Sequence, residues 1–405
     1  MNKPVYAMDR TTDNDSLYVM ADEAARSLGV SVTTLYAYVG RKRIRSQRVP
    51  GTRQRRYWRA DIERLCSGDN ADSESARSGV SQESEITLIT PQGPYYRGRS
   101  ALELAETFTL EATAAHLWQV DEQSVFSPAL PRSPAELRAI LRALNESSAV
   151  DKASALFPLI EHANPRAFDL SPSGMCKTGA DVLRWYSALL VGNDRPRADP
   201  IHATVGAALK LSKELTDLVR CMLVLSADHG FEAATYAVRA CASAGVTPYR
   251  CVLVGLAVVT GRRSKFGRTE TLTRLLEEIA SEPDPDKPIL RRIREGDALP
   301  GFGSSVYAGA DPRARFLLKR CEAIFGGDKG FKKLRKAIET AKDATGLEPD
   351  YVLATFYAYG KIGVSLKNSL FPLGRSVGWI AHAIEQFQAG EKMRAPVRYT
   401  GPLPG

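Results

Sequence analysis

A chain of 405 residues, 44% hydrophobic, is long enough for two or more separately cored domains, which excludes a single small module. Net charge is +9, and residues 1–66 carry thirteen Lys/Arg against seven Asp/Glu, so +6 of it sits in the first sixth of the chain; such a bias favours a polyanionic partner, with a plain soluble basic surface as the alternative. The six cysteines lack CxxC or Cys/His spacing, and the most apolar run, Cys251 to Thr260, is too short to span a bilayer, so the chain is expected to be reduced, metal-free, cytoplasmic and off the membrane.

Chain order begins with a compact unit over residues 17–66. Ala21 to Val30 predicts a short helix ended by Gly29. Ser31 is then a good N-cap for a second helix through Val39. Ala24, Leu28, Val30 and Leu35 can pack the two helices together, leaving Ser31, Thr33, Thr34 and Tyr36 on the outward N-terminal half of the second. That is a helix-turn-helix arrangement, whose second helix enters the DNA major groove. Two strand-like runs, Ile44–Val49 and Arg53–Arg59, flank Pro50-Gly51-Thr52 and predict a hairpin wing. Between Arg41 and Arg59 there are nine basic residues and no acidic one, which suits phosphate contacts. Arg41, Lys42, Arg43, Arg53, Arg55 and Arg56 are the candidate contacts.

With Tyr18, Ala24-Ala25, Leu28-Gly29-Val30, Thr34-Leu35-Tyr36 and Asp61 to Leu65 in register, the segment resembles the MerR and excisionase type of winged helix-turn-helix. Double-stranded DNA is the partner this implies.

Residues 67–84, with six serines, mixed charges and no aromatic residue, read as a flexible linker. Beyond it a short strand pair is expected at Ile86–Ile89 and Tyr95–Arg97, split by Pro91-Gln92-Gly93-Pro94. Apolar residues then recur at helical spacing almost throughout, as in Leu102-Leu104-Ala105 and Leu137-Ile140-Leu141-Leu144. The fold class is therefore mainly α.

Several strings in this second part carry a resemblance in the right order. They are Pro94-Tyr95-Tyr96-Arg97-Gly98, Ser226-Ala227-Asp228-His229, Pro300-Gly301-Phe302-Gly303-Ser304-Ser305-Val306-Tyr307 with Asp311-Pro312-Arg313-Ala314, Gly374 to His382, and Arg394 before Tyr399-Thr400-Gly401. From Glu85 to Gly401 the chain resembles the citrate synthases. The resemblance implies an all-α two-domain body, with a large domain over 85–260 and 350–405 and a small domain over 261–349. It also implies a homodimer. His229 falls on the family's substrate-binding histidine, and Arg313, Arg375 and Arg394 on its three carboxylate-clamping arginines, the last reaching in from the partner subunit. Planar guanidinium groups pair with carboxylates in bidentate fashion, so a di- or tricarboxylate such as citrate or oxaloacetate is the expected ligand.

The catalytic positions depart from the family pattern. Ser304 stands where the histidine that grips the oxaloacetate carbonyl is expected. Ser264 or Lys265, depending on the end from which the loop is aligned, occupies the slot of the enol-stabilising histidine. Val352 falls on the base, and Asp350, two residues earlier, would face away by about 200° if the stretch were helical. A positioned acid or base contributes ~10²–10⁴ in rate, so losing all three leaves condensation near background.

Two functions follow. One is a DNA-binding regulator with a catalytically degraded, ligand-sensing body and no cofactor. The alternative is an active citrate or 2-methylcitrate synthase, which would need a CoA thioester. A scaffold that binds neither ligand nor operator is the duller third.

Overall fold

The computed structural model describes residues 17–41, 44–49, 51–66, 83–127, 129–264, 266, 269–364 and 369–393. Lys42, Arg43, Lys265, Arg394 and nearly all of the expected linker lie outside them. The chain forms two compact units, one containing residues 17–66 and the other spanning Ser84–Arg394.

In the first unit, helix Ala21–Ser27 is followed by Gly29 at φ +65°, a backbone conformation that glycine adopts without strain. Helix Val32–Arg41 starts from Ser31, whose Oγ accepts the Thr34 N–H at 3.1 Å. The wing is a little shorter than expected, with β2 at Ser46–Arg48 and β3 at Arg55–Trp58 after β1 at Tyr18–Met20. The strand order β1-β3-β2 makes the hairpin part of a three-stranded antiparallel sheet, with Val19 opposite Tyr57 and Ser46 opposite Tyr57. Three residues are too few for an alternating pattern, so β1 gave no signal of its own. Helix Arg59–Cys66 closes the unit. Ala24, Ala25, Leu35, Ile44, Tyr57 and Ile62 form its core, and Leu28 and Val30 pack against it half-buried.

The second unit opens with a three-stranded antiparallel sheet, β4 Thr87–Thr90, β5 Gly93–Tyr96 and β6 Arg99–Ser100. The expected four-residue turn is shorter: Gly93 and Pro94 already pair with Thr90 and Ile89, leaving Pro91 and Gln92 at the tip. Gly93 enters the strand at φ +122°, which explains why a turn former serves as a strand residue. Among the described residues, everything after β6 is helix or loop apart from a single bridge between Phe302 and Pro349. Helix Ala101–Thr107 buries Leu104 and Ala105, and helix Leu137–Ala143 buries Leu137 and Leu141 but leaves Ile140 exposed.

Helix Phe371–Ala389 is the centre of this unit. It packs against helices Leu110–Trp118, Pro172–Leu190, Lys213–Ser226, Ala233–Ala242 and Pro248–Val259. Close approach depends on glycines. A Cβ at Gly255 would lie 2.6 Å from Trp379, and one at Gly378 would lie 2.3 Å from the Ala227 carbonyl oxygen. The Gly378 N–H donates to that same oxygen at 2.9 Å, so the contact is a hydrogen bond between backbones. Among the described residues no helix is long and apolar enough to cross a membrane.

The Gly378 contact yields a stability prediction. Gly378→Ala inserts a methyl group against fixed backbone and should destabilise the protein by about 1–3 kcal/mol. A chemical-denaturation midpoint that falls without a change in slope verifies it.

Candidate functional site

The helix Lys213–Ser226 ends where Ala227, Asp228 and His229 begin, and this junction is fixed from several sides. The Tyr96 hydroxyl, fully buried on β5, donates to the Asp228 carbonyl oxygen at 3.1 Å and accepts the Asp228 N–H at 3.2 Å. The Asp228 carboxylate accepts the Gly230 N–H at 2.9 Å, and its Oδ2 lies 3.4 Å from His382 Nε2. Burial opposes the Asp228 charge, but His382 and Arg375 outweigh it and hold this carboxyl well below its usual range. His229 therefore leaves a rigid turn. Its Nε2 is 2.9 Å from the Tyr307 hydroxyl, a proton burial pushes towards retention.

A second junction brings the loop around Ser304 to the same place. Phe302 bridges Pro349, the Gly303 N–H donates to Glu348 O at 2.8 Å, and the Asp350 N–H donates to Gly301 O at 2.8 Å. Gly301 holds φ +81°, and a Cβ there would come within 2.8 Å of Leu353, so this crossing requires glycine.

The two junctions face a cleft of about 550 Å³, lined by His229, Ser304, Arg313, Asp350, Val352 and Arg375 among others. Ser264 and Arg263 border it, and Phe266 stacks on Phe371 in its wall at 3.5 Å. The expected orientation of Asp350 is corrected here. The helix starts at Tyr351, not before, and Asp350 is its extended N-cap, with Oδ1 accepting the Val352 and Leu353 N–H groups at 2.9 and 3.1 Å. Because a cap residue stands outside the helical rotation, the 200° argument does not apply, and Asp350 lines the cleft beside Val352. Val352 remains apolar, and the carboxyl group next to it in the cleft wall belongs to Asp350, whose Oδ1 is engaged as the helix cap.

Ser304 uses its hydroxyl locally. Its Oγ accepts the N–H groups of Val306 and Tyr307, both at 3.1 Å, and so folds its own loop.

Both described clamp arginines are buried and already paired. Arg313 donates Nε and Nη2 to the two oxygens of Asp311 at 3.1 and 2.7 Å, and it sits over the Tyr351 ring at 4.5 Å. Burial works against the Arg313 charge, and Asp311 more than restores it. Arg375 donates Nε to Ser226 O at 2.9 Å and Nη1 to Glu232 Oε1 at 2.7 Å. Nη1 of Arg313 and Nη2 of Arg375 have no protein acceptor among the described residues. Both residues line the cleft. Glu232, Asp311 and Tyr307 were not singled out from sequence. Asp311 stands inside the Asp311-Pro312-Arg313 string and Glu232 three residues after His229, but nothing in their spacing announces an ion pair.

The other candidate surface lies in the first unit. Tyr36 is 58% exposed, Ser31 and Thr33 are exposed, and Thr34 is half-buried with its hydroxyl 2.8 Å from Ser31 Oγ. The basic residues of the wing divide by role. Arg45 is tied to the buried Asp61 through its Nε and Nη2 at 3.0 and 2.9 Å, so it builds the wing. Arg56 lies over the Tyr18 ring at 4.4 Å and donates to Gln47 at 3.1 Å, and Arg55 donates to Ser46 at 2.9 Å. Arg53 is exposed at the wing tip, and Arg41 ends the recognition helix.

A mainly helical body with an arginine-lined cleft, on a chain that also carries a winged helix-turn-helix, is the class these features define. Comparison with known families agrees. The family model "Citrate synthase, C-terminal domain" matches residues 75–396, and "MerR HTH family regulatory protein" matches residues 19–67. The chain belongs to the citrate synthase family, with a MerR-type helix-turn-helix at its amino-terminal end.

It is 32% identical to the citrate synthase of Haloferax volcanii over 186 residues, 44% of this chain and 48% of that protein. It is 27% identical to that of Deinococcus radiodurans over 259 residues, 59% and 68% of the two chains. The chain thus spans about half the length of the first of these relatives. The body superimposes on the citrate synthase of Thermoplasma acidophilum, solved with carboxymethyl coenzyme A and oxaloacetate. The TM-score is 0.71 at 22% identity, over 82% of this chain and 97% of that one, a likeness of fold. The Thermotoga maritima citrate synthase gives 0.66 at 25% identity, with the same coverage.

The buried Asp228 generates a pH prediction. Its folded pKa lies below the unfolded value, so its stabilising contribution is present at neutral pH and is lost as pH falls through the carboxylate range. Asp228→Asn should lower the melting temperature at pH 7 and leave a shallower loss of stability between about pH 5 and pH 3 than in the wild type. Thermal melts across that range provide the check.

Proposed function

We propose that this protein is a DNA-binding regulator whose citrate-synthase-type body mediates dimerisation and senses a small di- or tricarboxylate. The observation that carries the reading is Ser304. In a cleft that keeps His229, Arg313 and Arg375, the position for polarising an acceptor carbonyl holds a hydroxyl engaged with its own loop. A serine hydroxyl is no substitute for an imidazole acid at neutral pH. The donor ends left on Arg313 and Arg375 support retention of carboxylate binding without that chemistry. His229, held by Tyr307, supports a polar ligand group at the same place.

The helix-turn-helix supports double-stranded DNA as the macromolecular partner. The exposed Ser31, Thr33 and Tyr36 suit base edges, and Arg53 at the wing tip suits a phosphate. A two-fold dimer of the body would present two such units to a pseudo-palindromic site. In a filter-binding or fluorescence titration, affinity should fall steeply with salt, and Arg53→Ala should reduce the slope of log K against log salt by about 1. Undiminished binding by a chain lacking residues 1–66 would count against the proposal.

Asp350 favours a second reading, a citrate or 2-methylcitrate synthase with a CoA thioester as substrate. Asp350 lines the cleft, and a carboxylate there could take an α-proton from the acyl group, although its Oδ1 also caps the helix that follows. Thiol release from acetyl-CoA or propionyl-CoA with oxaloacetate separates the two. The regulator reading expects background rates. Turnover at about 1 s⁻¹ or faster, abolished by Asp350→Asn and by His229→Ala, would establish the enzyme instead.

A further inference from the structure

The two buried cleft arginines differ in how their acidic partners are held. Asp311 is two residues from Arg313, is itself buried, and also accepts the Arg313 N–H at 3.0 Å, so that pair is fixed within one helix start. Glu232 reaches Arg375 from another element, just ahead of helix Ala233–Ala242. Its side chain is 39% exposed and accepts no capping bond from the helix it precedes. Nothing but the 2.7 Å bond to Arg375 Nη1 fixes its carboxylate among the described contacts. It also lines the cleft.

We infer that Glu232 is a built-in, displaceable counter-ion that sets the anion specificity of this cleft by competing with ligand carboxylates for Arg375. The inference rests on the carboxylate-binding reading above and adds a selectivity to it. With Glu232 seated, a ligand carboxylate approaching Arg375 meets a second negative charge beside the same guanidinium. Like charges sharing one site disfavour each other, and a repulsive element of this kind discriminates between ligands as effectively as an attractive one. The penalty grows with ligand charge, so Glu232 selects against tricarboxylates more than against monocarboxylates. Displacing Glu232 would also release the residue that leads into helix Ala233–Ala242, which packs on the central helix.

Calorimetric titration of the full chain and of Glu232→Gln with citrate, oxaloacetate and pyruvate tests this. The amide keeps the acceptor oxygen for Arg375 and removes only the charge. Glu232→Gln should bind citrate about tenfold tighter or more, oxaloacetate tighter by a smaller factor, and pyruvate within about twofold of the wild type. Glu232→Ala, which also removes the acceptor, should show the same ordering. Citrate affinity that is equal or weaker in Glu232→Gln overturns the counter-ion role and leaves the carboxylate reading standing. No binding of any of the three anions to either protein brings down both.

Discussion

The close backbone contact between helix Phe371–Ala389 and the turn at Ala227-Asp228 is the constraint on which the rest of the cleft depends. Gly378 has no side chain, so its N–H reaches the Ala227 carbonyl at 2.9 Å. That approach sets the distance at which Arg375 can donate to Ser226 O and at which His382 can meet the buried Asp228 carboxylate. Tyr96 locks the same turn from the sheet side. An interior packed this densely transmits small displacements, so a shift here would move His229 and Arg375 together.

Against this rigid floor the cleft gathers charged and polar side chains from several elements. Three carboxylate residues (Glu232, Asp311 and Asp350), the His229 imidazole and three arginines (Arg263, Arg313 and Arg375) line one volume. The Ser304 hydroxyl is spent on folding its own loop. Arg313 and Arg375 carry internal counter-ions, so the cleft is far closer to neutral than a count of its basic residues suggests. Its field towards a highly charged anion depends on whether Glu232 stays in place.

The helix-turn-helix shows a parallel division of labour among like residues. Arg45 and Arg56 look like phosphate contacts in a list of basic residues, yet one anchors the wing to Asp61 and the other covers Tyr18. Exposed Tyr36 and Arg53 stand on the second helix and at the wing tip, with no hydrogen-bond partner among the described residues. Charge density along the chain thus overstates the number of basic side chains without an internal partner, even where, as at Arg45, the side chain stays exposed.

The fold was largely legible from residues alone. Helical periodicity, Ser31 as a cap, Gly29 as a stop and the ordered strings from Pro94 to His382 are local or pattern-level signals, and local propensity with periodic burial writes them directly into sequence. Short strands such as β1 and β6 were not legible, because two or three residues hold no alternation. The candidate site was only half legible. The identities of His229, Ser304, Arg313 and Arg375 were available, and so was their meeting in one pocket through the family resemblance. Where Asp350 points was decided by one residue of helix boundary, which capping geometry fixes and periodicity does not. That Arg313 answers to Asp311 and Arg375 to Glu232 was decided by tertiary packing, since ion pairs form between side chains that the backbone brings within about 3 Å, whatever their spacing along the chain.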